Sequence, residues 1–209
     1  MTRSTTRLVR LTGSLIAGAV VLAGCSDASA HDAGADTHAE ASPSESAAVD
    51  DADVTFVQGM IPHHRGALEM AQLADGRAED PRVLGLADRI EAAQQPEIET
   101  MTGWLEQWGE PVPEQTDGGT DHGSMGHEGS DTEGMSAEDM AALEAASGAA
   151  FDRIWLEMMI VHHRGAVEMA RTEIAEGSNP DAVALAEEIA DSQAAEIEEM
   201  ETLLAELDG

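Results

Sequence analysis

Residues 60–71 read MIPHHRGALEMA, and residues 159–170 read MIVHHRGAVEMA. Ten of these twelve positions are identical at an offset of 99 residues, and the same offset aligns the following residues without a gap. The chain therefore contains two copies of one unit, at about residues 53–105 and 152–204. Each copy places two adjacent histidines among methionines, a combination of ligands that indicates binding of a soft metal ion.

The first 25 residues have the features of a bacterial lipoprotein signal peptide. Three arginines precede an apolar run, Leu15 to Ala23, that is too short for a stable membrane span. The run leads into Gly24 and Cys25, which is the pattern of a lipobox, and Cys25 is the only cysteine. We expect cleavage before Cys25 and lipidation of its thiol, so that the chain is extracytoplasmic and lipid-anchored to the cell membrane. A plain secreted protein is the alternative.

The charge of the chain argues against nucleic acid as a partner. The full sequence has 10 basic and 42 acidic side chains, a formal net charge of −32 at pH 7. Removal of the signal peptide would take away three arginines and leave 7 − 42 = −35. Such a field repels nucleic acid and anionic lipid head groups, and it attracts cations. Much of this charge is typical of a solvated surface, so we do not interpret it as metal sites.

Composition divides the rest of the chain into helical and polar segments. Two segments are polar and lack apolar periodicity. We therefore expect a disordered tether over residues 26–49 and a flexible linker over residues 109–135. Ala, Leu, Met and Glu dominate elsewhere and aromatic residues make up only 2%, which favours helices over strands. The sequence predicts a first helical hairpin repeat over 50–108 and a second over 136–209. Together they predict one all-α domain, a four-helix bundle over 50–209.

The first hairpin is expected to contain one helix over residues 50–75 and another over residues 81–108. Pro62 should kink or locally break the earlier helix, because proline removes a backbone donor and clashes with the preceding turn. Asp80 can cap the later helix, and Pro81 occupies its first position, where the missing N–H has no cost.

The second hairpin is expected to repeat this arrangement without the internal proline. Its first helix should begin at Ser136, which starts a capping box, run unbroken to about residue 176 and stop at Gly177. Its second helix should begin at Asn179 and Pro180 and run to about residue 207.

One stripe of each motif-bearing helix combines acidic, imidazole and thioether side chains. On the first helix, Asp53 shares an arc of about 120° with Met60 and the histidine pair. Burial of such polar groups costs several kcal/mol each unless they find partners. The partners could be a mutual hydrogen-bond network, such as His to Glu or Gln across the hairpin, or a metal ion.

Neutral imidazole with thioether sulfur forms a soft ligand set that suits Cu(I), and suits Ag(I) or Cu(II) less well. Because the whole set recurs, we interpret these side chains as candidate metal ligands: Met60, His63, His64, Met70, Met101, Met159, His162, His163, Met169 and Met200. Met70 and Met169 also fit the alternative of core filler. The residues expected to orient the imidazoles are Gln94, Glu97, Gln193 and Glu196. A possible additional metal set in the linker, with a solvated segment as its alternative, is His122, Met125 and His127.

The segments Phe56 to Ala71 and Gln94 to Leu105 show the motifs F-x-x-x-M-I-P-H-H-x-x-A-x-x-M-A and Q-x-x-E-I-x-x-M-x-x-W-L. In these motifs the chain resembles the bacterial domain-of-unknown-function family 305, and the second repeat resembles it too. The resemblance covers about residues 50–108 and 134–206 and implies two copies in tandem. It also implies a ferritin-like bundle, export and, in some members, copper binding by Met and His.

These patterns favour a membrane-anchored protein that binds or buffers copper and is not an enzyme. The expected partners are a metal ion and the membrane, through the lipid on Cys25. The main alternative is a non-metal helical scaffold or interaction module of the envelope, whose polar stripe is satisfied internally. A metal-dependent redox enzyme is the third hypothesis; no Glu lies three residues before a helical histidine, as di-iron bundles require.

Overall fold

The computed structural model describes residues 48–114, 136–207 and 209. Within these ranges the chain forms five α-helices and no strand, which confirms the all-α prediction. The helices are α1 (Asp51–Leu73), α2 (Pro81–Trp108), α3 (Ala137–Ala145), α4 (Ala149–Glu176) and α5 (Pro180–Leu207). The α1 helix packs on α2 and α4 packs on α5, and the two hairpins meet mainly through α1 and α4.

The ends of the helices follow the predicted caps. The Asp80 carboxylate accepts a hydrogen bond from the backbone N–H of Arg82 at 2.8 Å, at the start of α2. The Asn179 side-chain oxygen does the same for Ala182 at 3.1 Å, at the start of α5. Ser136 forms the expected capping box with Asp139 at the start of α3. Each bond satisfies a donor that the first turn of a helix leaves without an internal partner.

The prediction of one unbroken helix from Ser136 to about residue 176 is wrong. The chain leaves the helix after Ala145 and starts α4 at Ala149. Between them Gly148 has φ 65° and ψ −150°, a backbone conformation that favours glycine. Its N–H donates to the carbonyl oxygen of Arg77 at 2.8 Å, so the break ties α3 and α4 to the loop of the first hairpin.

The expected break at Pro62 does not occur, because α1 continues through this residue to Leu73, and the alternative of a kink there stays a prediction. Pro62 lies on the exposed side of the helix, so water can satisfy the carbonyl oxygen that loses its backbone donor. Pro96 is accommodated in the same way on the exposed side of α2.

Two buried aspartates join the hairpins through equivalent contacts. Asp53 accepts hydrogen bonds from the backbone N–H groups of Ser178 and Asn179, at 3.0 and 2.8 Å. Asp152, which is 99 residues later, accepts from the N–H groups of Glu79 and Asp80, at 3.1 and 2.8 Å. Each carboxylate thus binds the interhelical loop of the other hairpin. The polar stripe predicted from sequence therefore has protein partners at these two positions.

The apolar core consists of two clusters with equivalent members. The first-repeat cluster contains Met60 and Met101, and the second-repeat cluster contains Met159 and Met200. Each cluster also takes small and large apolar residues from the other repeat: Ala166, Ala170 and Ile189 enter the first, and Ala67, Ala71 and Ile90 enter the second. Each hairpin therefore completes the core of its partner.

No helix in the described part of the chain is long and apolar enough to cross a membrane. The predicted lipidation residue Cys25, residues 26–47 of the tether and the linker set His122, Met125 and His127 lie outside the described residues.

Candidate metal centre

The two histidine pairs meet where α1 packs against α4. The imidazoles of His63 and His162 lie 3.8 Å apart, centroid to centroid, with 38° between their planes. The ring of His64 lies 6.5 Å from that of His63, and the ring of His163 lies 6.3 Å from that of His162. We call these four linked rings, in the order His64, His63, His162 and His163, the histidine row. The repeats thus contribute to one shared group of imidazoles.

A carboxylate across each hairpin orients each outer histidine. The Nε2–H of His64 donates to Oε2 of Glu97 at 2.6 Å, and the Nε2–H of His163 donates to Oε2 of Glu196 at 2.8 Å. An ionised carboxylate only accepts hydrogen bonds, so Nε2 holds the proton in both rings. The Nδ1 atoms are buried and have no hydrogen-bond partner. When these rings are neutral, the Nδ1 lone pairs are available as metal ligands.

The inner histidines are neutral imidazoles: His162 is buried, and His63 is half-buried but both of its ring nitrogens are buried. Burial and the nearby charges of His64 and His163 lower the pKa of His63 from 6.5 to about 3. Burial, followed by the effect of His63, lowers the pKa of His162 well below its usual value. Neither ring nitrogen of His63 has a hydrogen-bond partner, and Nδ1 of His162 also lacks one. Such orphaned buried nitrogens cost free energy, and a bound soft metal ion would satisfy them.

A glycine makes room for this close approach. A Cβ atom on Gly165 would lie only 3.1 Å from Nε2 of His63, closer than nearly all contacts that real Cβ atoms make. Gly165 belongs to the repeated HHRGA sequence, so the motif contains both the imidazoles and the space for them. The glycine is identical in the two repeats, but its role depends on the docking of the hairpins and is not evident from the sequence.

The predicted orienting residues divide into two kinds. Glu97 and Glu196 hold imidazoles, as described above. Gln94 and Gln193 do not, although both are buried at 3% exposure. Both amide atoms of Gln94 and Oε1 of Gln193 lack a hydrogen-bond partner. These groups therefore add further unsatisfied polar atoms to the helices that carry the glutamates.

The candidate methionines occupy the apolar clusters beside the histidines. Met60, Met101, Met159 and Met200 have no solvent exposure. Met70 is also fully buried, but it joins the second-repeat cluster and not the cluster of its own repeat. Met169 packs against the first-repeat cluster, and its Cε lies 2.9 Å from the position of a Cβ on Gly59. Each cluster thus brings together thioethers from both repeats.

The described residues contain no group of three or more His, Cys, Asp or Glu side chains arranged to hold a metal ion. A site in this part of the protein therefore has to combine imidazoles in pairs or join them with thioethers. Both combinations suit Cu(I), which accepts few and soft ligands, better than a hard cation such as Mg²⁺ or Ca²⁺.

A family profile and solved structures resemble this chain over most of its helical part. The profile described as "Domain of unknown function (DUF305)" matches residues 53–204. This single match spans both repeats, so the presence of two separate family domains in tandem stays a prediction. An uncharacterized protein of Acanthamoeba polyphaga mimivirus is 40% identical over 55 residues, 26% of this chain and 36% of that protein. The chain thus covers little more than one third of that relative.

Three solved structures share the fold. A DUF305 protein from Streptomyces coelicolor superimposes with a TM-score of 0.64 at 31% identity, over 76% of this chain and 93% of that one. A DUF305 fragment from Deinococcus radiodurans gives 0.64 at 30% identity, over 76% and 98% of the two chains. CopM in its Cu(I)-bound form gives 0.61 at 32% identity, over 75% and 98%. CopM has also been solved in Cu(II)-bound and Ag-bound forms. Because the family profile matches residues 53–204, which is more than half of the chain, the chain belongs to the DUF305 family.

Proposed function

We propose that the protein is an extracytoplasmic, membrane-anchored copper-binding protein that buffers or relays copper through His and Met side chains, with Cu(I) favoured. The observation that supports this most is the histidine row. Buried imidazoles meet there across the α1–α4 contact, and ring nitrogens in all four of them lack hydrogen-bond partners.

The protonation of the row suits a metal ion. A histidine binds metal only in its neutral form, and burial keeps His63 and His162 neutral. The glutamates on Nε2 of His64 and His163 leave Nδ1 as the ligand atom of each ring. A carboxylate in this position also raises the basicity of the imidazole and fixes its orientation.

The methionines would complete the ligand set from the adjacent clusters. Met60 precedes His64 by one helical turn on α1, and Met101 follows Glu97 by one turn on α2. Met159 and Met200 have the same relation to His163 and Glu196. Because a thioether side chain is flexible and polarizable, it can turn toward a soft ion without a change of the helix. Met70 and Met169 are the outer members of the proposed set.

The relatives support both the metal and the location. CopM binds Cu(I), Cu(II) and Ag in structures that share this fold. The Streptomyces coelicolor protein is assigned as secreted. The lipobox that ends at Cys25 extends this to a lipid anchor, and the linker set His122, Met125 and His127 would supply additional, weaker ligands.

A non-metal scaffold is the second candidate. It is favoured by the hydrogen bonds of His64 to Glu97 and of His163 to Glu196. These give one of the two ring nitrogens of each outer imidazole a partner within the protein. It does not account for the inner pair, because both nitrogens of His63 stay unsatisfied. We therefore place it second, and we propose no catalytic activity.

The test is a Cu(I) titration, against a competing Cu(I) chelator, of the chain without its first 25 residues. It is run beside a variant in which His63, His64, His162 and His163 are changed to Gln. We expect tight binding of a whole number of ions by the wild-type protein and loss of that binding in the variant. Circular dichroism must show equal helicity for the two proteins. Equal, weak binding by both would favour the scaffold.

A variant of the linker set identifies the contribution of that segment. His122→Gln, Met125→Leu and His127→Gln remove its ligands and leave the histidine row intact. We expect this protein to keep its tight binding and to lose only weak binding.

A further inference from the structure

A cavity of about 920 Å³ opens between the start of α1 and the end of α4. This volume is in the range of sites that hold small organic molecules. None of the lining residues that the structure describes is basic. Four are acidic and two are large and apolar: Asp50, Asp51, Glu173 and Glu176, with Phe56 and Met169.

The central feature of this cavity is the carboxyl group of Glu173. The residue is 1% exposed, and neither carboxyl oxygen makes a well-formed hydrogen bond, although the side chain of Asp53 lies next to the group. The group occupies the space that a Cβ atom on Gly177 would fill, so the glycine at the end of α4 leaves room for it. Burial and the nearby Asp53 and Asp50 carboxylates raise the pKa of Glu173 to about 8. A buried, unsatisfied acid of this kind would gain free energy from a cationic partner.

At the other end of the bundle, the equivalent place is covered by α3 in the part of the chain that the structure describes. There α3 packs against α1 and α4 and inserts Leu143 into the second-repeat cluster. The repeat positions equivalent to Thr172, Glu173 and Glu176 are Leu73, Ala74 and Arg77. Equivalent positions of the two repeats therefore carry different side chains: apolar and basic ones at the end that α3 covers, and hydroxyl and acidic ones at the open end. The acidic group is specific to the open end and is not a consequence of the repeat.

The arrangement does not suit a bare metal ion. The acidic groups around the cavity are not among any set of three or more that could hold a metal, within residues 48–114 and 136–207. The space is also much larger than an ion requires. Phe56 and Met169 instead offer an apolar surface next to the carboxyl group, and the face of an aromatic ring attracts an organic cation.

We infer that this cavity binds an organic cation, a primary ammonium group on an apolar stem. The ammonium group would bind the carboxylate that forms when Glu173 releases to solvent the proton it holds near neutral pH, with Asp50, Asp51 and Glu176 adding attraction at the rim. The stem would lie against Phe56 and Met169. This inference does not depend on copper binding by the histidine row.

The test measures binding of butylammonium, benzylammonium and phenethylammonium chloride by titration calorimetry at one fixed pH near neutrality. It uses the chain without its first 25 residues, with benzyl alcohol as the uncharged ligand of similar shape. The test variant is Glu173→Gln. The matched control is Glu157→Gln, because Glu157 lies on the same helix, is exposed and is outside the cavity. A second variant, Thr172→Leu, places the residue of the other repeat in the cavity wall and leaves the carboxyl group intact.

We expect saturable binding of at least one ammonium ion, no saturable binding of benzyl alcohol, and unchanged affinity in Glu157→Gln. Both Glu173→Gln and Thr172→Leu should weaken binding by about tenfold or more, since a charge-assisted bond or the space for the stem is lost. Equal affinity in the wild type and in a folded Glu173→Gln or Thr172→Leu protein would overturn the inference. So would the absence of saturable binding by all three ions in the millimolar range.

Discussion

His63 of the first repeat and His162 of the second hold their imidazoles 3.8 Å apart, although 99 residues separate them in the chain. They occupy the same position of the repeated motif, so the contact joins equivalent points of the two hairpins. A metal ion at this contact would be held by α1 and α4 together. Binding would then link the two halves of the bundle and would add to its stability by mass action.

The shared character of the inner pair can be tested with single and double variants. We expect His63→Gln and His162→Gln each to lower Cu(I) affinity by about tenfold or more, which corresponds to about 1.4 kcal/mol. The double variant should lose little more than either single one, because both changes remove the same site. Competition titrations measure all three, with His31→Gln as the control for a histidine outside the motif. Independent, additive losses would mean that each repeat has its own site.

The glutamates on the outer imidazoles should matter for affinity without contacting the metal. Glu97→Gln replaces the acceptor at His64 Nε2 by a weaker one and permits the other tautomer, so we expect Cu(I) affinity to fall by about 10-fold to 100-fold. Glu196→Gln should act in the same way at His163. The exposed Glu106→Gln on α2 is the control. Unchanged affinity in both test variants would exclude the outer histidines as ligands.

The metal-free protein should lose stability in mild acid because of the inner pair. His63 has a pKa of about 3 when folded and about 6.5 when unfolded, so between these values the unfolded chain binds more protons. The contribution of neutral His63 to the free energy of unfolding is therefore complete above pH 6.5. It is lost as the pH falls below that value, by up to about 2 kcal/mol at pH 5. Urea unfolding at pH 7 and pH 5 measures this loss. A variant with His63→Gln and His162→Gln should lose less, and an equal loss would contradict the assignment.

The buried aspartates should be needed for docking of the hairpins. Asp152→Ala removes a buried carboxylate that accepts from the N–H groups of Glu79 and Asp80, and two charge-assisted hydrogen bonds are lost, so we expect a loss of about 2–4 kcal/mol in the free energy of unfolding. Asp53→Ala should have a similar effect through Ser178 and Asn179. The exposed Asp88→Ala on α2 should change stability by less than about 0.5 kcal/mol. Denaturant unfolding compares the variants, and near-equal values for Asp152 and Asp88 would argue against the docking role.

Local sequence signals were sufficient for most of the fold. Asp80 with Pro81, and Asn179 with Pro180, locate the starts of α2 and α5 because cap chemistry acts within one turn. The break before α4 was missed because Gly148 stands in an Ala-rich stretch with good helix propensity. Its conformation is stabilised by Arg77, which is distant in sequence. The predicted break at Pro62 is wrong because proline chemistry alone does not reveal that this residue lies on the exposed side of α1.

The sequence indicates which side chains belong to the candidate site, but it does not indicate how they are arranged in space. The helical period places Met60, His63 and His64 together, and spacing across the hairpin suggests Glu97 as a partner. The contact of His63 with His162 depends on how two hairpins dock, which no local period specifies. The roles of Asp53 and Asp152 depend on the same docking. Glu173 was not identified, because a single glutamate near the end of a helix gives no sequence signal of burial.

The most direct measurement is a crystal structure of the Cu(I)-loaded chain, without its first 25 residues, with an anomalous difference map at the copper edge. We expect a copper peak in contact with a ring nitrogen of His63 and one of His162, where α1 packs on α4. Copper confined to the segment of His122, Met125 and His127, with the histidine row unchanged, would contradict it.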